Sequence, residues 1–123
     1  MYKYSFEKLD VWQLSRELVK DIYALTKNFP VSEKYGLKSQ INRAAISISS
    51  NLAEGAARKT AKDQAHFTTI AYGSLMEMLN QLIISSDLEY ISFEELKNIR
   101  PNIEKIGNKL NSLRNSQYQR INK

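Results

Sequence analysis

The chain has 123 residues, 42% of them hydrophobic and 25% charged, which is the composition of one globular domain with a modest core. The absence of cysteine excludes disulfides and thiolate metal sites, and no run of about 18 apolar residues offers a membrane span. Eighteen Lys and Arg against 13 Asp and Glu give a formal charge of +5, which permits nucleic-acid binding without requiring it. We expect a single domain over residues 1–123 in the cytoplasm, because the first residues also lack the apolar core of a secretory signal.

Apolar residues at spacings of three and four predict four amphipathic helices along the chain. These helices are expected at about residues 9–27, 37–57, 61–88 and 93–114. The first ends at Phe29-Pro30, because the residue before a proline is held out of helical geometry. The third follows Thr60, whose hydroxyl is placed to cap it, and the fourth opens with the capping box of Ser92 and Glu95.

Two residues inside the predicted helices need an explanation of their own. Pro101 removes one backbone hydrogen bond, but the apolar spacing continues on both sides of it, so we expect a kink and not a break. Gly73 costs roughly 1 kcal/mol relative to alanine in a helix, and we expect it to lie in close contact with another helix. Residues 115–123 are predicted to fray. With short connections and no strand pattern, the chain is predicted to be all-α, as an antiparallel up-down-up-down four-helix bundle.

The second predicted helix carries a polar stripe beside its apolar seam. The stripe lies within an arc of about 80° on the helix, and its members are Gln40, Arg43, Ser47, Asn51, Glu54 and Arg58. We expect a polar network that fixes the register of the helices, with Glu77 as a partner for Arg43 across the bundle and Arg58 as one for Glu54. The alternative is a groove that faces a ligand or RNA. Basic residues are densest at Arg58-Lys59-Thr60-Ala61-Lys62 and in residues 114–123.

No catalytic or metal-binding constellation stands out. His66 is the one histidine, so a carboxylate-bridged diiron site cannot be built within the chain, and no phosphate loop or nucleophile elbow occurs. Small helical ribonucleases can use an Arg and a His on one helix, but Arg58 and His66 are separated by the predicted turn at Thr60. We therefore predict a protein that is not an enzyme and uses no metal or other cofactor.

Several separated motifs resemble a known protein family. They are Leu9-Asp10-Val11-Trp12, Ile22-Tyr23, Phe29-Pro30, Glu33-x-Tyr35-Gly36-Leu37, Gln40-Ile41-x-Arg43-Ala44, Ser47-Ile48, Asn51-Leu52-Ala53-Glu54-Gly55, Arg58 and Gly73-Ser74-Leu75-x-Glu77. Together they cover about residues 6–90 and resemble the four-helix-bundle proteins named after open reading frames inside intervening sequences of 23S rRNA genes. The fourth predicted helix fits this family only in general character.

The resemblance implies a bacterial cytoplasmic protein whose subunits assemble into a ring, in the best-known cases a homopentamer. A related protein of diversity-generating retroelements is an accessory to a reverse transcriptase and is thought to bind nucleic acid through basic surfaces of such a ring. The family name records gene location more than activity. Carried over to matching positions, the signature residues are Arg43, Asn51, Glu54, Gly55 and Arg58.

Two functions stay open at this point, and a third, a hydrolytic enzyme such as a ribonuclease, lacks a catalytic constellation. The first is a non-enzymatic, ring-forming oligomeric scaffold that binds RNA or a ribonucleoprotein partner through basic surfaces. Its expected nucleic-acid contacts are Arg43, Arg58, Lys59 and Lys62, and its expected polar network consists of Gln40, Arg43, Ser47, Asn51, Glu54, Gly55 and Glu77. The second function is a protein–protein interaction module that binds no nucleic acid.

Overall fold

A computed structural model describes residues 1–121 and shows an all-α protein over that range. Its four α-helices are α1 (Asp10–Thr26), α2 (Leu37–Ala56), α3 (Ala61–Asp87) and α4 (Phe93–Ile121). Short 3-10 turns at Ser5–Lys8 and Val31–Glu33 precede α1 and α2. The predicted all-α class with four helices is confirmed, and none of the described residues forms a strand.

The helices surround one apolar core. Each helix packs on its neighbour in the chain, and α4 packs on α1, with the most extensive contact between α2 and α3 and the sparsest between α1 and α4. Every helix contributes fully buried side chains, such as Ile22, Ile48, Leu75 and Leu110. These contacts are compatible with the expected up-down order of the helices. No helix in residues 1–121 combines the length and hydropathy that a bilayer crossing needs.

Side-chain caps begin three of the helices. The Thr60 hydroxyl accepts the Asp63 amide at 3.1 Å at the start of α3, as its sequence predicts. At the start of α4 the Ser92 hydroxyl accepts the Glu95 amide at 3.0 Å, while the Ser92 amide donates to the Glu95 carboxylate at 2.9 Å. This reciprocal pair confirms the predicted capping box. At the start of α2 the cap comes from the side chain of Glu33.

Glu33 ties the start of α2 to the connection between α3 and α4. One carboxylate oxygen accepts the Leu37 amide at 3.1 Å, and the other accepts the Tyr90 hydroxyl at 3.0 Å. The second bond raises the pKa of Tyr90 above its usual value, because the neutral phenol is the donor. A Cβ at Gly36 would lie 2.6 Å from the Glu33 Oε1 atom, so a glycine leaves this carboxylate room to cap the helix.

Helix α4 is longer than its apolar pattern predicts. It runs through Pro101 without a break and continues to Ile121, so the prediction of a frayed tail is wrong for residues 115–121. Residues 122–123, which share that prediction, lie outside the described part of the chain. The extension is held by polar contacts with α3: the Thr68 hydroxyl donates to Gln117 at 2.8 Å, and Arg120 donates to Gln64 at 2.7 Å. Gln117 is only 6% exposed.

The glycines of α2 and α3, Gly55 and Gly73, have opposite surroundings. The expected close contact at Gly73 is wrong: this residue is exposed, and a Cβ there would meet nothing within 4 Å in residues 1–121. The core face of α3 is instead the one with Ala71 and Leu75, so Gly73 points to solvent. The close approach of α2 to α3 occurs at Gly55, where a Cβ would lie 2.8 Å from the Phe67 Cβ.

Candidate nucleic-acid interface

Part of the polar stripe on α2 bonds directly to α3. The hydroxyls of Ser47 and Ser74 lie 2.9 Å apart across the two helices. The Asn51 side-chain amide donates to the Ser47 carbonyl at 2.8 Å and to the Ser47 hydroxyl at 3.0 Å. All three side chains are half-buried. The Ser47–Ser74 bond links α2 to α3 at one place along their length, and the Asn51 bonds hold Ser47 from within α2, which is the effect expected of a register-setting network.

Gln81 is a buried member of the same network that the sequence analysis missed. Its side-chain nitrogen lies 3.4 Å from oxygens of both Gln40 and Glu77, at the long end of hydrogen-bond geometry. The residue is 7% exposed, and its side-chain oxygen has no partner among the described residues. The available signal was its position four residues after Glu77, which places both side chains on one face of α3.

Arg43 and Glu77 line one cleft but do not pair. The cleft has a volume of about 400 Å³, lies between α2 and α3, and also includes Gln40, Ser47 and Ser74. Within residues 1–121 the ion pairs are Glu17–Lys20 and Asp10–Lys109, so the expected Arg43–Glu77 contact does not form. Both side chains are exposed, and charges already in water gain little by pairing.

The expected ion pair between Arg58 and Glu54 does not form among residues 1–121. Arg58 makes two other contacts instead. Its guanidinium lies over the Phe67 ring, 4.5 Å from the ring centroid, a favourable cation–π arrangement. Its backbone carbonyl accepts the Gln64 side-chain amide at 3.0 Å. The other face of the guanidinium stays exposed, so its positive charge is available at the surface.

Arg120 extends the basic cluster at the α2–α3 connection. Gln64 connects Arg58 with Arg120, because its side-chain nitrogen donates to the Arg58 carbonyl and its side-chain oxygen accepts a hydrogen bond from the Arg120 guanidinium. We call the exposed side chains of Arg58, Lys59, Lys62 and Arg120 the basic end. No carboxylate of residues 1–121 lies within 4 Å of their charged nitrogens. Arg120 is predicted from the sequence to lie in a frayed tail, and the helical extension of α4 brings it to the basic end.

The positive charge of the protein is concentrated at this end of the bundle. A cavity of about 250 Å³ is lined by Leu9, Leu52, Gln64, Leu113 and Arg120, which brings the start of α1, the end of α2, the start of α3 and the end of α4 together. The segments 1–17, 47–73 and 107–121, which meet there, contain nine Lys and Arg against five Asp and Glu. The remaining described segments, 18–46 and 74–106, contain eight Lys and Arg and eight Asp and Glu.

The structure separates Arg43 from the other three predicted nucleic-acid contacts. Arg43 and Arg58 are 15 residues apart on α2 and its end, about 22 Å along the helix axis. Lys59 and Lys62 lie beside Arg58 in the chain and are exposed with it. The predicted set therefore divides into a group of three at the basic end and a single arginine in the α2–α3 cleft.

Exposed aromatic rings accompany the basic end. Tyr2 and Tyr4 are 76% and 63% exposed and lie edge to face at 5.0 Å, just before the Ser5–Lys8 turn. Tyr118 is 46% exposed on the last turns of α4. Rings of this kind can stack on unpaired bases. His66 is exposed beside Phe67, and residues 1–121 contain no group of three His, Cys, Asp or Glu side chains placed to hold a metal ion.

Comparison with models of known protein families gives a match over most of the chain. A family model described as 23S rRNA-intervening sequence protein matches residues 7–112, which is most of the chain. The matched range contains Arg43, Arg58, Lys59 and Lys62 and ends before Arg120. The comparison with curated proteins gives no match.

Proposed function

Because the chain belongs to the 23S rRNA-intervening sequence protein family, as its motifs predict, we propose that it is a non-enzymatic, ring-forming oligomeric scaffold that binds RNA. The RNA is contacted either free or as part of a ribonucleoprotein, through the basic end. We propose on the same family grounds that the protein is bacterial and cytoplasmic. Its protomer is an antiparallel up-down-up-down bundle, which pairings such as Thr26 with Asn42 and Thr68 with Gln117 support.

The single observation that carries this proposal is the basic end. Four exposed cations from the α2–α3 connection and from α4 lie together, and none has a carboxylate within 4 Å in residues 1–121. Cations that are not neutralised within the protein can neutralise phosphates and release the counterions condensed on the nucleic acid. The Arg58 guanidinium is also held in place by the Phe67 ring, which lowers the entropy lost when it contacts a phosphate.

The ring assembly draws its support from the outer surface of α2 and α3. Ile46, Ile70 and Ile84 are 41%, 37% and 40% exposed, and the open space at Gly73 allows another backbone to approach closely. A protomer has a mass of 14.2 kDa, so light scattering on a pentamer would give about five times that value. A clean monomer at micromolar concentration would overturn the ring.

The RNA proposal is tested by fluorescence anisotropy with a structured RNA at low and moderate salt. The test variant is Arg58→Gln, Lys59→Gln, Lys62→Gln, which removes three charges from the basic end. A matched control removes three exposed charges from the other half of the bundle, by Lys27→Gln, Lys34→Gln and Lys97→Gln. We expect the test variant to lose about tenfold or more in affinity and the control to lose far less. No binding by the unmodified protein at micromolar concentration, or equal losses, would refute the proposal.

The second candidate is a protein–protein interaction module without nucleic-acid binding, and the exposed isoleucines of α2 and α3 favour it. It shares the assembly expected above, so light scattering does not separate the two. A partner from the native host that stays bound after nuclease treatment, together with absent RNA binding, would select this candidate.

A further inference from the structure

The sparsest helix contact in the bundle, between α1 and α4, leaves a groove on its surface. Two adjoining cavities of about 390 and 100 Å³ share Asp21 and Asn102 and so form one continuous depression. The larger cavity alone lies within the range of about 300–1,000 Å³ that is typical of ligand pockets. The groove faces away from the α2–α3 cleft and is distinct from the basic end.

The floor of the groove is apolar. Ile99 lies at 7% exposure under the larger cavity, with the half-buried Leu25 beside it, and Leu14 continues the apolar surface into the smaller one. The exposed Ala24 is too short to cover this floor. A groove of this kind leaves aliphatic surface in contact with water, and burial of that surface would favour binding.

The rim of the larger cavity is acidic, although the protein as a whole carries a formal charge of +5. Asp21 and Glu95 lie on opposite sides of it, are exposed, and have no Lys or Arg nitrogen of residues 1–121 within 4 Å. The narrow part is lined by Lys105 and by Glu17, which pairs with Lys20, and beyond it Lys109 bonds to Asp10 at 2.6 Å. The carboxylates without a Lys or Arg partner therefore lie at the wide part of the groove.

We propose that the α1–α4 groove binds a basic amphipathic helix of a partner protein. Aliphatic side chains of that helix would pack on Leu25 and Ile99, and its Lys or Arg side chains would lie beside Asp21 and Glu95. The groove follows α1 from Leu14 to Leu25, about 16 Å or three helical turns, which is long enough for anchors at positions i, i+4 and i+7 of an incoming helix, a span of about 10 Å. RNA is excluded from this surface by the same carboxylates that attract the basic helix.

The probe is a fluorescent synthetic helix of about 18 residues, built from Leu, Lys and Ala, with Leu at i, i+4 and i+7 and Lys along both flanks. A second peptide carries Glu at every Lys position. The test variant is Asp21→Asn, Glu95→Gln, in which the glutamine keeps an oxygen for the Ser92 amide. The control variant is Asp87→Asn, Glu104→Gln, which removes two exposed charges outside the groove.

We expect the Lys peptide to bind the full-length protein and the Glu peptide not to bind. The test variant should weaken binding by about tenfold, and the control should stay within about twofold. Ala24→Arg should abolish binding, because it places a cation over the apolar floor without touching the core. Circular dichroism of each variant checks that the bundle is intact.

Three results would overturn the proposal: no binding of the Lys peptide at about 100 µM, equal binding of the two peptides, or equal losses in the test and control variants. A change in oligomer mass in the test variant would also overturn it, because the occupant would then be a second copy of this chain. The Arg58→Gln, Lys59→Gln, Lys62→Gln variant should bind the Lys peptide at least as tightly as the unmodified protein, which separates the groove from RNA binding.

Discussion

Replacing Gly55 by alanine tests the close approach of α2 to α3 at Phe67. The new Cβ would lie 2.8 Å from the Cβ of Phe67 and 3.6 Å from the Gln64 carbonyl oxygen. A Cβ is fixed to its backbone, so the clash cannot be relieved by rotating the Phe67 ring, and the two helices must shift. Overpacking of this kind costs about 1–3 kcal/mol, against which alanine regains at most about 1 kcal/mol of helix propensity. We expect a net loss of roughly 1–2 kcal/mol in the free energy of unfolding.

Gly73→Ala is the matched control. It makes the same substitution in the middle of α3, where a Cβ meets nothing within 4 Å in residues 1–121. We expect it to stabilise the protomer by up to about 1 kcal/mol. Urea denaturation of both variants measures the difference, and light scattering shows whether either one changes the subunit contacts. If Gly55→Ala is as stable as the unmodified protein, or if both variants change in the same direction, the packing described for α2 and α3 is wrong.

Three further outcomes are expected. Gln81→Met should stabilise the protein by about 1 kcal/mol in urea, because it removes a buried oxygen without a partner, and a clear loss of stability would contradict this. Tyr90→Phe should lower Tm at neutral pH. This substitution removes the hydrogen bond from the Tyr90 hydroxyl to Glu33, which stabilises the folded protein at pH values below the pKa of an unfolded tyrosine, near 10.0. The stabilisation is lost as the pH rises through the raised pKa of folded Tyr90, so the Tm difference should vanish at high pH. In a carboxyl NMR titration Asp10 should have a midpoint below 3.8, because Lys109 bonds to its carboxylate, and Lys109→Gln should return it toward 3.8. The stability from that pair is present above 3.8 and is lost as pH falls through the lowered pKa, and an unchanged midpoint in Lys109→Gln would refute the assignment.

The helices were predictable because burial repeats with the helical period. Apolar spacing and capping residues predict α1, α2 and α3 to within about two residues of their ends. The same rule fails at the end of α4, where the buried residue that continues the packing is Gln117, whose amide bonds to Thr68. A polar residue at a core position carries no apolar signal, so periodicity alone ends the helix too early.

The candidate site was predictable only in part. The cluster of Arg58, Lys59 and Lys62 is visible in sequence, because its members are adjacent in the chain. The contribution of Arg120 depends on the unforeseen length of α4 and on its bond to Gln64. A lone glycine gives the backbone the same freedom in either setting, so sequence could not show that Gly73 faces open space while Gly55 meets another helix.

The salt dependence of RNA binding tests the central claim most directly. The logarithm of the binding constant should fall linearly with the logarithm of salt concentration, with a slope set by the number of phosphates that the protein neutralises. Removing the charges of Arg58, Lys59 and Lys62 should reduce the magnitude of that slope by about 2 to 3, and the Lys27, Lys34 and Lys97 control should leave it unchanged. Equal slopes for the unmodified protein and the Arg58→Gln, Lys59→Gln, Lys62→Gln variant would contradict a phosphate-binding basic end.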